Sequence, residues 1–216
     1  MNLRCIIFDM DGTLTQTNQL IFDSFNAIVE RYQGKRLKDL EITALFGPPE
    51  EGALAKVVGE DLVPKVMGEY LEFYRSNHQR LATLYPGIRP LLDYLKSRKQ
   101  YLALFTGKGV HTTRITLEEF GLTDLFDCVI TGNDVEEHKP SGEGIRTILE
   151  RFGLKPDQAL MVGDSVADVK AARDAGVPVV SVVWDSYARE RVVQMNGENI
   201  FETVADLHEW LRRKLE

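Results

Sequence analysis

A chain of 216 residues, 44% hydrophobic and 27% charged, holds enough apolar material for one α/β domain with a sizeable core and a small appendage. Its formal net charge of −7 leaves no general basic face for a nucleic-acid backbone, and no apolar run approaches the length of a membrane span. Cys5 and Cys128 each sit in a short apolar run and read as buried, reduced thiols; with no signal-type leader before them, the expectation is a cytoplasmic protein.

Residues 3–8 read as a buried strand, short, rich in β-branched side chains and stopped by Asp and Gly. Ile21, Phe25, Ile28, Val29 and Tyr32 then keep helical spacing, with Asn18 placed to cap the start and Gly34 to end the helix. A short helix over Leu37–Leu45 follows, then the break Phe46-Gly47-Pro48-Pro49, then helical composition from Glu50 to Val58. Val63, Val66, Met67, Tyr70, Leu71 and Tyr74 mark a longer amphipathic helix, capped by Asp61 and tolerating Pro64 in its first turn. From about residue 15 to 82 the pattern predicts several helices and no strand.

Beyond Tyr85-Pro86-Gly87 the pattern alternates. A helix around Leu91, Leu92 and Leu95 precedes a strand at 101–105, and a helix ending near Phe120-Gly121 precedes a strand at 128–130. Ile145, Ile148, Leu149 and Phe152 mark a helix closed by Gly153, before a strand at 159–162. Val166 to Ala175 is helical, Val177 to Val183 extended, and a short 199–201 segment leads to a final helix from about Val204. Strands alternating with helices predict a doubly wound parallel sheet, with the helical block as an insertion after its first strand. The domains expected are residues 1–14 with 83–216, and 15–82.

In an open parallel sheet, ligands bind beyond the carboxyl ends of the strands. Asp9, Asp11 and Thr13 follow the first strand, Thr106, Gly107 and Lys108 the second, and Lys139 lies in the loop beyond the third. Asp164 follows the fourth, with Asp168 one helical turn on. Taken singly these are weak signals. An Asp-x-Asp pair is usually a solvated turn, Thr106 and Ser165 are plausible helix caps, and Lys139 or Asp168 is an ordinary surface charge. Their joint placement at one sheet edge is what points to chemistry. Close carboxylates repel by about 4 kcal/mol per pair at 4 Å and an effective dielectric of 20, and a divalent cation with a liking for oxygen, Mg²⁺, removes that cost. A cation and Lys139 would neutralise a phosphoryl group while an ionised Asp9 attacks phosphorus and Asp11 moves the proton. His111 and His138 have no ligand partners at useful spacing and read as surface or loop residues.

Asp9-Met10-Asp11-Gly12-Thr13-Leu14, Thr106, Lys139-Pro140 and Gly163-Asp164-Ser165-Val166-Ala167-Asp168 together resemble the four motifs of the haloacid dehalogenase superfamily. The insertion resembles the helical cap of its subgroup containing phosphoglycolate phosphatase and β-phosphoglucomutase. The resemblance implies a Rossmann-like α/β core with an α-helical cap, Asp9 as nucleophile, Asp11 as general acid/base, and Thr106, Gly107 and Lys139 on the phosphoryl group. It also implies Mg²⁺ held by Asp9, the Asp11 main-chain carbonyl and Asp164, with Asp168 supporting or joining them. The activity implied is a Mg²⁺-dependent phosphatase acting on a small phosphorylated metabolite, with no nucleic-acid or membrane partner and no readable oligomeric state. A phosphomutase is the close alternative; a dehalogenase and a phospho-accepting signalling module are more distant ones. The chain departs from the family pattern at Thr15-Gln16-Thr17, where many relatives have an acid, and at Lys139-Pro140-Ser141-Gly142, where many have a second proline. Residues 46–51 fall where such caps carry a substrate-facing loop, and a plain interhelical turn is the equal alternative there.

Overall fold

The computed structural model describes residues 2–197 and 199–216. Strand β1 (Cys5–Phe8) is followed by two two-residue strands, β2 (Thr15–Gln16) and β3 (Thr83–Leu84). Then come β4 (Tyr101–Phe105), β5 (Cys128–Ile130), β6 (Ala159–Gly163), β7 (Val179–Val182) and β8 (Ile200–Phe201). Six of them form one sheet in the order β5-β4-β1-β6-β7-β8, every neighbour pair parallel. The expected doubly wound α/β architecture is therefore the one present.

The sheet is covered on both faces, which is why its strands read as unbroken apolar runs. Alternate residues of β1 serve opposite cores. Cys5 and Ile7 join Ala103, Phe105 and Met161 beneath Ile145 and Ile148 of α7 (Glu143–Phe152) and Val169 of α8 (Val166–Asp174). Ile6 and Phe8 join Leu102, Leu104 and Leu160 beneath Leu91, Leu92 and Leu95 of α5 (Ile88–Ser97) and Leu207 and Leu211 of α10 (Val204–Leu215). Each such leucine, wholly buried, contributes roughly 1.5–3 kcal/mol of transfer free energy. Both cysteines are buried and free.

Between β2 and β3 the chain makes α1 (Asn18–Gln33), α2 (Asp39–Thr43), α3 (Glu50–Val58) and α4 (Val63–Leu81). These close on a core of their own: Leu20, Phe25 and Ile28 of α1, Leu54 of α3, and Val66, Tyr70 and Tyr74 of α4, with the Phe25 and Tyr70 rings edge to face at 5.3 Å. Ile115 of α6 (Val110–Glu119) is the sheet-side residue that joins this cluster.

Four expectations shift. Thr17, not Asn18, stands at the N-cap of α1, and its hydroxyl does not cap because it donates to Asp11 instead. A 3₁₀ turn at Glu60–Leu62 takes up Asp61, so α4 starts at Val63, with Pro64 in its first turn as expected. The block expected to lack strands contains β2, which pairs antiparallel with β3 (Thr15 to Leu84, Gln16 to Thr83); two residues are too few to show alternation. A further helix, α9 (Arg189–Asn196), buries only Val192 and Asn196 and so carries almost no periodic apolar signal. Among the described residues no helix is long and apolar enough to cross a membrane.

Candidate active site

Strand order runs outward in both directions from β1: β4 and β5 lie to one side, β6, β7 and β8 to the other. This reversal opens a crevice at the carboxyl edge of the sheet. Phe8 of β1 is in register with Leu104 and Val162, so the residue directly after β1 lies within one position of those directly after β4 and β6. They are Asp9, Thr106 and Asp164.

Asp9, Asp164 and Asp168 each offer a carboxylate oxygen within 4.8 Å of the others, and all three are buried. The Lys139 ammonium bridges two of them, 2.8 Å from Asp9 Oδ1 and 2.6 Å from Asp168 Oδ1, while lying over the Phe105 ring at 4.6 Å. Local chemistry aims each carboxylate. Ser165 caps α8, and its N–H and hydroxyl donate to Asp168 Oδ2 at 3.0 and 2.6 Å. Thr13 donates to Asp164 Oδ1 at 3.1 Å, and Ser186 to the Asp164 carbonyl at 2.6 Å. Gly12, at φ +83°, lets the loop after β1 press against Asp164; a Cβ there would stand 2.5 Å from Asp164 Oδ2.

The cluster is short of positive charge. Burial pushes the Asp9 carboxyl up to about 7 despite the opposing pull of Lys139, and Asp168 and Asp11 add to the rise. Burial, then repulsion from Asp9 and Asp168, holds the Asp164 carboxyl well above the ordinary range. Burial disfavours the Lys139 ammonium, but Asp168 and Asp9 outweigh it and hold its pKa above the usual lysine value. One ammonium thus faces three buried carboxylates. An all-oxygen set in this condition fits a hard divalent cation, which would restore the ionised forms.

Asp11 stands apart from that set. It accepts from Lys108 Nζ at 3.1 Å and from the Thr17 hydroxyl at 2.5 Å. Lys108 is buried and lies over the Tyr74 ring at 4.8 Å, so a helix of the inserted block helps to fix it. Burial works against its ammonium, yet Asp11, with Tyr74 and Glu50 behind it, keeps its pKa above the usual value. Lys108 was legible only as one more residue following β4, and Thr17 only as the place of a missing acid.

Asp9, Asp11, Thr106, Gly107, Lys108, Lys139, Asp164 and Asp168 all line one cavity of about 410 Å³, whereas Thr13 sits behind Asp164 and the two histidines lie elsewhere. Thr106 is no helix cap, since α6 begins after Gly109 and the Thr106 hydroxyl accepts from the Lys108 N–H at 3.2 Å. Asp168 is buried, not an exposed helix neighbour. The 46–51 segment reaches the same cavity with Phe46, Gly47, Pro48 and Glu50. Glu50, the first residue of α3, is buried and accepts from the Gly109 N–H at 2.8 Å and the Thr112 hydroxyl at 2.5 Å.

Residues 6–182 match the family model described as haloacid dehalogenase-like hydrolase. The pyrophosphatase PpaX of Anoxybacillus flavithermus is 31% identical over 207 residues, 96% of each chain, and a Bacillus cereus PpaX is 29% identical over 207 residues, 96% of this chain and 95% of that one. Among solved structures, a predicted phosphoglycolate phosphatase from Haemophilus somnus superimposes with a TM-score of 0.86 at 25% identity, covering 98% of this chain and 99% of that one. A Thermotoga maritima protein provisionally identified as a β-phosphoglucomutase gives 0.77 at 26% identity, covering 98% and 99%.

Proposed function

Because the chain belongs to the haloacid dehalogenase-like hydrolases, we propose that it is a Mg²⁺-dependent phosphohydrolase acting on a small phosphorylated metabolite through an aspartyl-phosphate on Asp9. The observation that carries this reading is the Lys139 ammonium bridging Asp9 and Asp168, at 2.8 and 2.6 Å, inside a buried triad completed by Asp164. Asp9, Asp164, Asp168 and the main chain at Asp11 would hold the cation, which supplies charge neutralisation at the phosphoryl oxygens.

The chain's own groups supply the rest. Lys139 keeps one Asp9 oxygen oriented and leaves the other to attack phosphorus; the P–O bond to the leaving group breaks as the new one forms. The Thr106 hydroxyl and the backbone at Gly107 take non-bridging oxygens. Asp11, held by Lys108 and Thr17, delivers a proton to the leaving oxygen and afterwards accepts one from the water that opens the acyl phosphate. We take residues 15–82 as a cap on a core of 1–14 and 83–216. The separate hydrophobic cluster of α1 to α4, and the pairing of β2 with β3 where the chain crosses between them, support that division. Closure of such a cap would shut bulk water out of the cavity.

Hydrolysis of an aryl phosphate that requires Mg²⁺ and disappears in Asp9→Asn, with the unfolding midpoint preserved, is the expected result. Turnover retained by Asp9→Asn would refute the mechanism.

A further inference from the structure

The cavity above the cluster has a charged floor and an apolar roof. Lys108 and Lys139 are the only lysines or arginines among the described residues that line it, and both are committed: Lys139 to Asp9 and Asp168, Lys108 to Asp11. The roof is mostly apolar, with Ile21 and Phe25 of α1, Leu45 and Phe46 of the loop after α2, and Tyr187 beyond β7; its polar members Asn18 and Thr43 are uncharged. The one roof carboxylate, Glu50, is turned onto the Gly109 N–H and the Thr112 hydroxyl, so it adds negative potential and has no cation to offer. Arg80 lies in a separate cleft that shares only Asn18 and Tyr187 with this cavity, and its guanidinium is bonded to Asn77 at 2.8 Å.

The mouth is aromatic. Phe46 is 45% exposed and Tyr187 is 60% exposed. Both pack against the buried Phe22 ring, at centroid distances of 6.4 and 6.0 Å, which leaves each with a free surface toward the cavity. A phosphate dianion entering this site uses the positive charge that the floor and its cation supply. A second anionic group on the same molecule would lie against Leu45, Phe46 and Tyr187 with no further lysine or arginine among the described lining residues to pair it, and a charge that gives up water without a cationic partner is rejected far more strongly than a change of size.

Building on the phosphohydrolase reading, we propose that the leaving group is uncharged and carries a flat apolar ring, so that the substrate is the monophosphate ester of a neutral, ring-bearing alcohol. About 410 Å³ is room for a phosphate and a group of one or two rings. This separates the chain from the activities for which its relatives are named, since pyrophosphate and phosphoglycolate both place a second acidic group beside the first.

The test is a matched pair assayed on the full chain with Mg²⁺: para-methylbenzyl phosphate against para-carboxybenzyl phosphate, with phosphoglycolate and pyrophosphate alongside. The methyl compound is expected to exceed its carboxylate twin by roughly 100-fold in kcat/KM, and to exceed both small polyanions as well. Phe46→Ala and Tyr187→Ala should each raise its KM by roughly tenfold with a smaller change in kcat. Leu45→Arg should narrow the gap between the twins by placing a cation on the roof. Equal or better turnover of the carboxylate twin, phosphoglycolate or pyrophosphate would overturn the assignment and leave the phosphohydrolase intact. Hydrolysis of none of the four would overturn both.

Discussion

Lys108→Met removes the buried cation that faces Asp11 and keeps most of the side chain's bulk. At 3.1 Å and an effective dielectric of about 20, the attraction between the two charges is roughly 5 kcal/mol before desolvation is subtracted. Removing one partner from a fully buried pair costs roughly 3–5 kcal/mol, because the other charge stays behind without compensation. Asp11 keeps 21% side-chain exposure and the Thr17 hydrogen bond, so the cost falls at or just below the bottom of that range, about 2–3 kcal/mol. With a urea m-value of roughly 2–3 kcal/mol/M, the unfolding midpoint should fall by about 1 M. Asp11→Asn alone should cost a similar amount, for it strands an ammonium over Tyr74. The double variant should lose clearly less than the sum of the two, with a coupling of about 1.5 kcal/mol or more. Simple additivity, with coupling below about 0.5 kcal/mol, would show that the two side chains do not depend on each other and would remove the case for Lys108 as the group that orients Asp11.

Three other outcomes can be measured. Gly12→Ala forces a side chain into φ +83° and against Asp164; it should destabilise by about 1–3 kcal/mol in urea titrations and weaken Mg²⁺ binding by calorimetry. Saturating Mg²⁺ at roughly 100 times its Kd should stabilise by about 2.7 kcal/mol, seen as a rise in Tm that EDTA reverses and Asp164→Ala abolishes. Because the Asp9 carboxyl without a cation is pushed up to about 7, a proton competes with the ion, so that rise should shrink as pH falls below about 7. His78 is buried between Tyr74 and Phe120, its Nε2 3.3 Å from the Thr116 hydroxyl, and burial lowers its pKa. The unfolded chain therefore takes up a proton near pH 6.5 that the folded one refuses. Stability is full above that pH and drains as pH falls, so Tm should drop less between about pH 7 and 5 in His78→Phe than in the wild type.

The sheet was legible because strands buried on both faces read as plain apolar runs, and the carboxyl-edge rule then located Asp9, Thr106, Lys139 and Asp164 without any contact being known. What pairs across the fold was not. Lys108 and Asp11 are 97 positions apart, and the ring beneath the lysine comes from α4, whose tyrosine spacing reads equally well as ordinary core. Glu50 at the start of α3 looks like a charge complementing a helix end, and only the docked loop reveals that it accepts from the Gly109 N–H and the Thr112 hydroxyl at the start of another helix. Thr17 was visible as a departure from a family pattern, but its bond to Asp11 needed the turn between them to close. Two-residue strands and a weakly amphipathic helix such as α9 lie below what periodicity can register.

The four residues of β2 and β3 have a meaning for how such a protein can be varied. Both passages of the chain into the helical block run side by side and are hydrogen-bonded to each other, so the ends of a 66-residue excursion from Thr17 to Ala82 are already adjacent. A replacement segment pays only its own loop-closure entropy, which grows slowly with length, and leaves the register of the six-stranded sheet untouched. All of the roof but Tyr187 can thus be exchanged as a cassette while the Asp9, Asp164 and Asp168 floor, assembled from distant strands, stays as it is.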